Sequence, residues 1–290
     1  MIGYSWYPAD MAHLFVVQVV LTVTFDTLSP LRSITFLHAH PDDESIFTGG
    51  TIAKLTDAGV AVTVIVATDD GAGPTRRLEL EEAAAVLKVD RVDFLGYPDS
   101  GLGLRPTAGS FATLPIDEPA ARVADLLDEV GADALVHYDP GGIYGHPDHL
   151  AVHRIGRRAA ALARVGTVYE STVDREHLHF VATHLVGDAV EALMRAAAGT
   201  PEVRPRPGSG LDGRLAGGTP TVLIDTMVDV ADVLDRKRRA MAAHRSQIPA
   251  HSEVLGLDPT SFEAVYGLEW YRRAGPPTLL DRLAPTRRQG

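Results

Sequence analysis

Residues 60–67 read VAVTVIVA, and this run decides the fold: it is β-branched almost throughout, which suits a strand covered on both faces, as in a parallel sheet flanked by helices. Upstream, residues 33–38 (SITFLH) form a short apolar run that predicts a strand, followed by a loop and an apolar-periodic segment over 45–58 that predicts a helix. Downstream, residues 75–87 are rich in Ala, Leu and Glu at helical spacing, and 92–95 predict a third short strand. Residues 96–115 are a glycine- and proline-rich loop. Residues 118–130 predict another helix, 133–137 (DALVH) a fourth strand ending at Tyr138-Asp139-Pro140, and Pro147 opens a helix through 163. Repeated β-loop-α units predict an α/β fold: a doubly wound, mostly parallel, Rossmann-like sheet with helices on both faces and ligands at the carboxyl ends of its strands. Beyond about Val168 the pattern is less regular. Residues 201–220 read as a loop rich in Gly and Pro, and a helix over 228–244 closes the readable part. The expected organisation is an N-terminal extension (1–32) and one domain (33–290), made of a core (33–167) and an appended C-terminal portion (168–290).

The 290 residues carry a formal charge of −11, from 38 acidic against 27 basic side chains, which disfavours nucleic acid or an anionic membrane as partner. Residues 13–25 (HLFVVQVVLTVTF) are too short to span a bilayer and follow no basic segment, so the expectation is a soluble, cytoplasmic protein acting on a small molecule, with homo-oligomerisation left open. The absence of cysteine excludes disulfides, thiolate catalysis and cysteine-ligated zinc. Any metal must be held by His, Asp or Glu.

Two constellations carry chemistry. His40-Pro41-Asp42-Asp43-Glu44 stands where the first strand hands over to its helix; adjacent aspartates project in different directions, so one can ligate a metal while the other faces its water. Taken alone, the stretch reads more readily as a proline turn with Asp or Glu capping the next helix. Tyr144-Gly145-His146-Pro147-Asp148-His149 follows the fourth strand and enters a helix at Pro147. Its two histidines can converge on one small volume, and imidazole with carboxylate suits a zinc site of three protein ligands with a fourth position for water. Alone, these are also readable as surface histidines on a loop. The fold puts both segments on the same edge of the sheet, which makes coincidence hard to sustain.

AHPDDE (39–44) and YGHPDH (144–149) resemble the two signatures of the PIG-L, or LmbE-like, family of zinc-dependent N-acetylglucosaminyl deacetylases, which includes the deacetylases and amidases of actinobacterial mycothiol metabolism. The resemblance runs over about 33–247, with weaker matches at 76–79 (RRLE) and 237–247 (KRRAMAAHRSQ). It implies that His40, Asp43 and His149 bind Zn2+, and that Asp42 is the general base for a zinc-bound water. His146 would be the acid that steadies the tetrahedral intermediate, and Tyr144 its mobile partner. Arg76 resembles the family's substrate-contacting arginine, with Arg77 beside it as a competitor. The implied reaction is removal of the N-acetyl group from an N-acetylated amino sugar or glycoconjugate.

Other residues stay open at this level. Asp99 and Ser100 either contact sugar hydroxyls or make turns. His38 and His153 read as supporting or neighbouring histidines, His244 and Gln247 either reach the cleft or end a helix in solvent, and Glu44 supports the ligand loop or caps a helix. Within the same chemistry the rival is an amidase on a larger mycothiol-type conjugate, its bulkier acyl group admitted by the loops 96–115 and 200–220. A non-catalytic metal-binding regulator has no need of a carboxylate like Asp42 beside the water. A nucleotide-binding oxidoreductase lacks its G-x-G-x-x-G after the first strand, where the chain reads HPDDE. Histidine and carboxylate ligands also admit iron or cobalt.

Overall fold

The computed structural model describes residues 28–69, 74–101, 105–184 and 218–283. The apolar segment at 13–25 lies outside them, as does most of the loop over 201–220. Seven strands form one sheet: β1 (Ser33–His38), β2 (Ala61–Thr68), β3 (Arg91–Tyr97), β4 (Ala134–Tyr138), β5 (Thr167–Thr172), β6 (Thr226–Asp229) and β7 (Leu268–Ala274). Their order is β3-β2-β1-β4-β5-β7-β6. The first five pair in parallel, and β7 then pairs antiparallel with both β5 and β6. The chain thus winds outward from β1 in one direction through β2 and β3, then returns to β1 and winds the other way through β4 and β5. The crevice at such a reversal, beyond the carboxyl ends of β1 and β4, is where ligands of doubly wound sheets bind.

Helices cover both faces: α1 (Asp43–Phe47), α2 (Gly49–Asp57), α3 (Pro74–Leu87), α4 (Asp117–Val130), α5 (Pro147–Leu162), α6 (Arg175–His184), α7 (Leu234–Ala243) and α8 (Pro259–Tyr266), with shorter turns between them. Alternate residues of each strand supply the two cores. Ile34, Phe36, Val62 and Val64 pack with Ile52, Leu80 and Ala240 on one face. Leu37, Ile65 and Leu135 pack with Val123, Leu127, Val152 and Ile155 on the other. Among the described residues, no helix is long and apolar enough to cross a membrane.

The structure departs from the sequence reading in two places that matter. The helix expected over 45–58 is broken at Thr48 (φ −135°, ψ 3°), whose hydroxyl donates to the Glu44 carbonyl at 3.0 Å and lies 3.0 Å from His38 Nε2. Gly50 follows because a Cβ there would stand 2.4 Å from the Val230 Cβ. The helix expected over 228–244 begins only at Leu234; residues 226–229 instead alternate buried and exposed, the period of a strand, and pair with β7. Strand β5 crosses the expected division at 167/168, so residues of the C-terminal portion complete the sheet.

Candidate metal centre and active site

Both signature segments leave the sheet beside the reversal. After β1, the His40 amide donates to Asp43 Oδ2 at 2.9 Å, folding the loop back on itself. Asp42 has φ 129°, a left-handed conformation strained for a residue with a Cβ. Its carbonyl accepts the amides of Ser45 and Ile46, which starts α1. After β4, Asp139 accepts the Ile143 amide (3.0 Å), and Gly142 takes φ 59° where a Cβ would press within 2.9 Å of His149 Cβ. His146 then caps α5: its Nδ1 accepts the Asp148 amide at 3.2 Å, so the ring proton sits on Nε2, 3.2 Å from the Gly101 carbonyl.

The two loops meet at Asp43. Its Oδ2 lies 3.4 Å from His40 Nδ1 and 3.3 Å from His149 Nε2, and Tyr138 donates to it at 2.8 Å. His40, His146 and His149 each present a ring nitrogen within 4.8 Å of the others. The Tyr144 hydroxyl lies 3.1 Å from His149 Nε2. The cluster is enclosed: His149 is fully buried, and Asp43, His40 and His146 nearly so. His40 and His146 also gather with Asp99 and Asp148, and imidazole nitrogens with carboxylate oxygens around them are the donor types of a divalent transition-metal site, so the residues fit such an ion.

Electrostatics agree with that fit. Burial alone would lower the His40 pKa, but hydrogen bonds to Asp148 and Asp43 raise it to about 10, so the pocket favours positive charge at this point. Burial would raise Asp43, yet His149 and His40 hold it well below the usual carboxylate range. Burial raises Asp42 to about 7, with Asp43 adding to the shift and Arg76 and His244 opposing it; that value suits a group that takes and returns a proton near neutrality. Burial lowers His146 to about 4, with His40 and His149 acting in the same direction. Tyr144 stays a phenol, its pKa driven well up by burial and by Asp43.

The remaining sequence expectations sort themselves by position. Arg76 is buried, donates to the Pro41 carbonyl at 2.7 Å and stands 3.9 Å from Asp42 Oδ1, whereas Arg77 turns outward to Asp69 at 2.5 Å and lies over the Phe94 ring. Asp99 approaches His40 Nε2 to 3.4 Å. His38 lies 3.0 Å from both the Tyr138 hydroxyl and Thr48, and His153 points to the Tyr138 carbonyl at 3.0 Å. Gln247 is exposed, while His244 reaches inward to Glu44. Sequence reasoning passed over Tyr138 and Asp148. Asp148 is fully buried, lies 3.2 Å from His40 Nε2 and accepts the amides of Ser100 and Ala112, tying three loops together. Its place between two motif histidines was the available signal; the loop amides it collects were not visible.

An α/β sheet with a histidine-carboxylate cluster at its switch point is a scaffold suited to a metal site, and comparison with known proteins gives the family. Residues 35–160 match the PIG-L family, described as GlcNAc-PI de-N-acetylase. The 1D-myo-inositol 2-acetamido-2-deoxy-α-D-glucopyranoside deacetylase of Streptomyces griseus is 33% identical over 274 residues, covering 84% of this chain and 83% of the relative. The protein of the same name from Thermobifida fusca is 31% identical over 268 residues, covering 83% and 92%. The N,N'-diacetylchitobiose deacetylase of Pyrococcus horikoshii shares the fold with a TM-score of 0.53, 22% identity and coverage of 98% and 99%. The chain belongs to the PIG-L family. It is therefore a deacetylase, a hydrolase of amide bonds.

Proposed function

We propose that this deacetylase removes the acetyl group from an N-acetylated amino sugar carried as a small glycoside, the 2-acetamido-2-deoxy-α-D-glucopyranoside of inositol being the first to test because relatives at 31–33% identity bear its name. His40, Asp43 and His149 hold a zinc ion, and Asp42, His146 and Tyr144 carry out proton transfer and charge stabilisation around it. The observation that carries this reading is the convergence of His40 Nδ1 and His149 Nε2 on one oxygen of Asp43, with a second carboxylate next in sequence.

When bound, zinc supplies Lewis acidity that polarises the amide carbonyl and acidifies water. Asp42 accepts the proton of the attacking water; its pKa of about 7 matches that task at neutral pH. Tyr144 donates its hydroxyl to the developing oxyanion, an interaction worth about 3 to 4 kcal/mol in comparable sites. Asp42, protonated by the attacking water, returns the proton to the departing amine nitrogen, while the Nε2–H of His146 donates a hydrogen bond to the tetrahedral intermediate. In this reading Arg76, 3.9 Å from Asp42, and Asp99, 3.4 Å from His40, hold sugar hydroxyls.

The test is amine release from N-acetylglucosamine and from the inositol glycoside, with metal content measured by elemental analysis before and after chelation. About one zinc per chain with chelator-sensitive release on the glycoside supports the reading. Full turnover by metal-free protein would overturn it.

A further inference from the structure

Glu44 and His244 are both completely buried, although 200 residues separate them, and His244 Nε2 lies 2.7 Å from Glu44 Oε1. The same carboxylate oxygen accepts the Ser45 hydroxyl at 2.6 Å. The other oxygen, Oε2, accepts the backbone amide of Asp42 at 3.0 Å. His244 is itself fixed at the C-terminal end of α7: its amide donates to Met241, and its carbonyl accepts the amides of Gln247 and Ile248. A chain of hydrogen bonds thus runs from the end of α7, through the imidazole and the carboxylate, to the peptide group of the residue at φ 129°.

A left-handed conformation at a residue with a Cβ persists only where the surroundings over-determine it. At Asp42 the constraint comes from two sides. The carbonyl is held by the amides of α1, and the amide is held by Glu44. If Glu44 turned away, the amide of Asp42 would lose its partner, and the Asp42 carboxylate would be free to swing off the direction that brings it to 3.9 Å from Arg76. His244 prevents that rotation by donating from Nε2 to the far oxygen of Glu44, a carboxylate with no access to water to take the place of that partner.

We infer that Glu44 and His244 form a positioning pair that holds the Asp42 backbone in its left-handed conformation and so aims the general base. The inference rests on the assignment of Asp42 as the base. Neither residue touches substrate or metal in this scheme; both act through the Asp42 peptide.

The experiment uses full-length, zinc-loaded enzyme and the inositol glycoside, with N-acetylglucosamine as a second substrate. His244→Leu and Glu44→Ala should lower kcat about 10- to 100-fold, a misaim costing the equivalent of one to two decades, with KM within about twofold and zinc still near one per chain. His244→Gln, whose amide can still donate to Glu44, should restore most of kcat. In an Asp42→Asn background, adding Glu44→Gln should cost no further activity, because the group being aimed is already gone. Equal losses in His244→Leu and His244→Gln, or a further drop in the double variant, would show a general structural role and overturn the inference. Should Asp42→Asn alone retain wild-type kcat, the base assignment fails and the inference with it. Should a variant not fold, as judged by circular dichroism and thermal melting, the Glu44→Gln and His244→Gln pair, which keeps size and hydrogen-bonding capacity, carries the comparison.

Discussion

Tyr138→Phe removes one oxygen from behind the metal site and leaves every proposed ligand in place. That oxygen makes three contacts: it donates to Asp43 Oδ2 at 2.8 Å, accepts the Ala39 amide at 3.1 Å and lies 3.0 Å from His38 Nδ1. All of these groups are buried, so no water replaces the hydroxyl. An amide left without a partner costs about 1 to 3 kcal/mol, and a hydrogen bond to a charged acceptor contributes about 1.5 to 3 kcal/mol. With partial relaxation, the expected loss of stability is about 2 to 4 kcal/mol, read from urea unfolding of the metal-free protein. Partners behind a metal ligand typically account for about 10- to 100-fold in metal affinity, or about 1.4 to 2.7 kcal/mol. Zinc competition against a chromophoric chelator should show that weakening. At saturating zinc, kcat should fall by no more than about threefold, since Asp42, His146 and Tyr144 are untouched. Wild-type zinc affinity in a folded Tyr138→Phe protein would refute the reasoning, because it would mean that the Asp43 carboxylate keeps its orientation without this donor.

Asp42→Asn should lower kcat by about 10²- to 10⁴-fold, the usual contribution of a general base, with zinc content unchanged by elemental analysis. His137 is buried and its pKa is lowered to about 3 by that burial, so between its ordinary value near 6.5 and about 3 the unfolded chain binds a proton that the folded chain does not. Stability is then fully present above pH 6.5 and declines as pH falls through this window; His137→Leu should flatten the decline by about 1 kcal/mol per pH unit between pH 6 and 4, measured from urea midpoints, and parallel curves for the two proteins would contradict this. Gly50→Ala should destabilise by about 1 to 3 kcal/mol in thermal melts, because the new methyl meets Val230 at 2.4 Å.

The parallel half of the fold was legible because its strands are short apolar runs separated by helical spacing, and both HPDDE and HPDH fall where such strands end. What periodicity could not show was the antiparallel edge. Strand β6 is four residues long with Asp229 and Met227 facing outward, so its alternation is nearly lost beside the helix that follows it. The break at Thr48 was equally hidden, since it depends on a hydroxyl finding His38 across the loop. Within the site, local motifs supplied the residues around Asp43 and left His244 open between cleft and solvent; the partners that Asp148, Tyr138 and His244 take emerged only once the chain was folded.

Those long-range partners change what the C-terminal portion does. Lys237, fully buried on α7, donates to Glu269 on β7 at 2.7 Å, and Glu269 accepts the amides of Gly50 and Thr51 at the start of α2. About two turns further along, just past the end of α7, His244 binds Glu44. A buried ion pair contributes little net stability when intact, but loss of one partner leaves an uncompensated charge that costs about 3 to 5 kcal/mol. The two pairs therefore fix the register of α7 against α1 and α2 far more sharply than the apolar contacts between them, because an apolar face can slide by a fraction of a turn and a charge pair out of water cannot. The segment from Glu44 to Thr51 is clamped at both ends by residues more than 180 positions downstream, and the geometry at Asp42 and Asp43 just before it is a property of the whole sheet rather than of the motif that contains them.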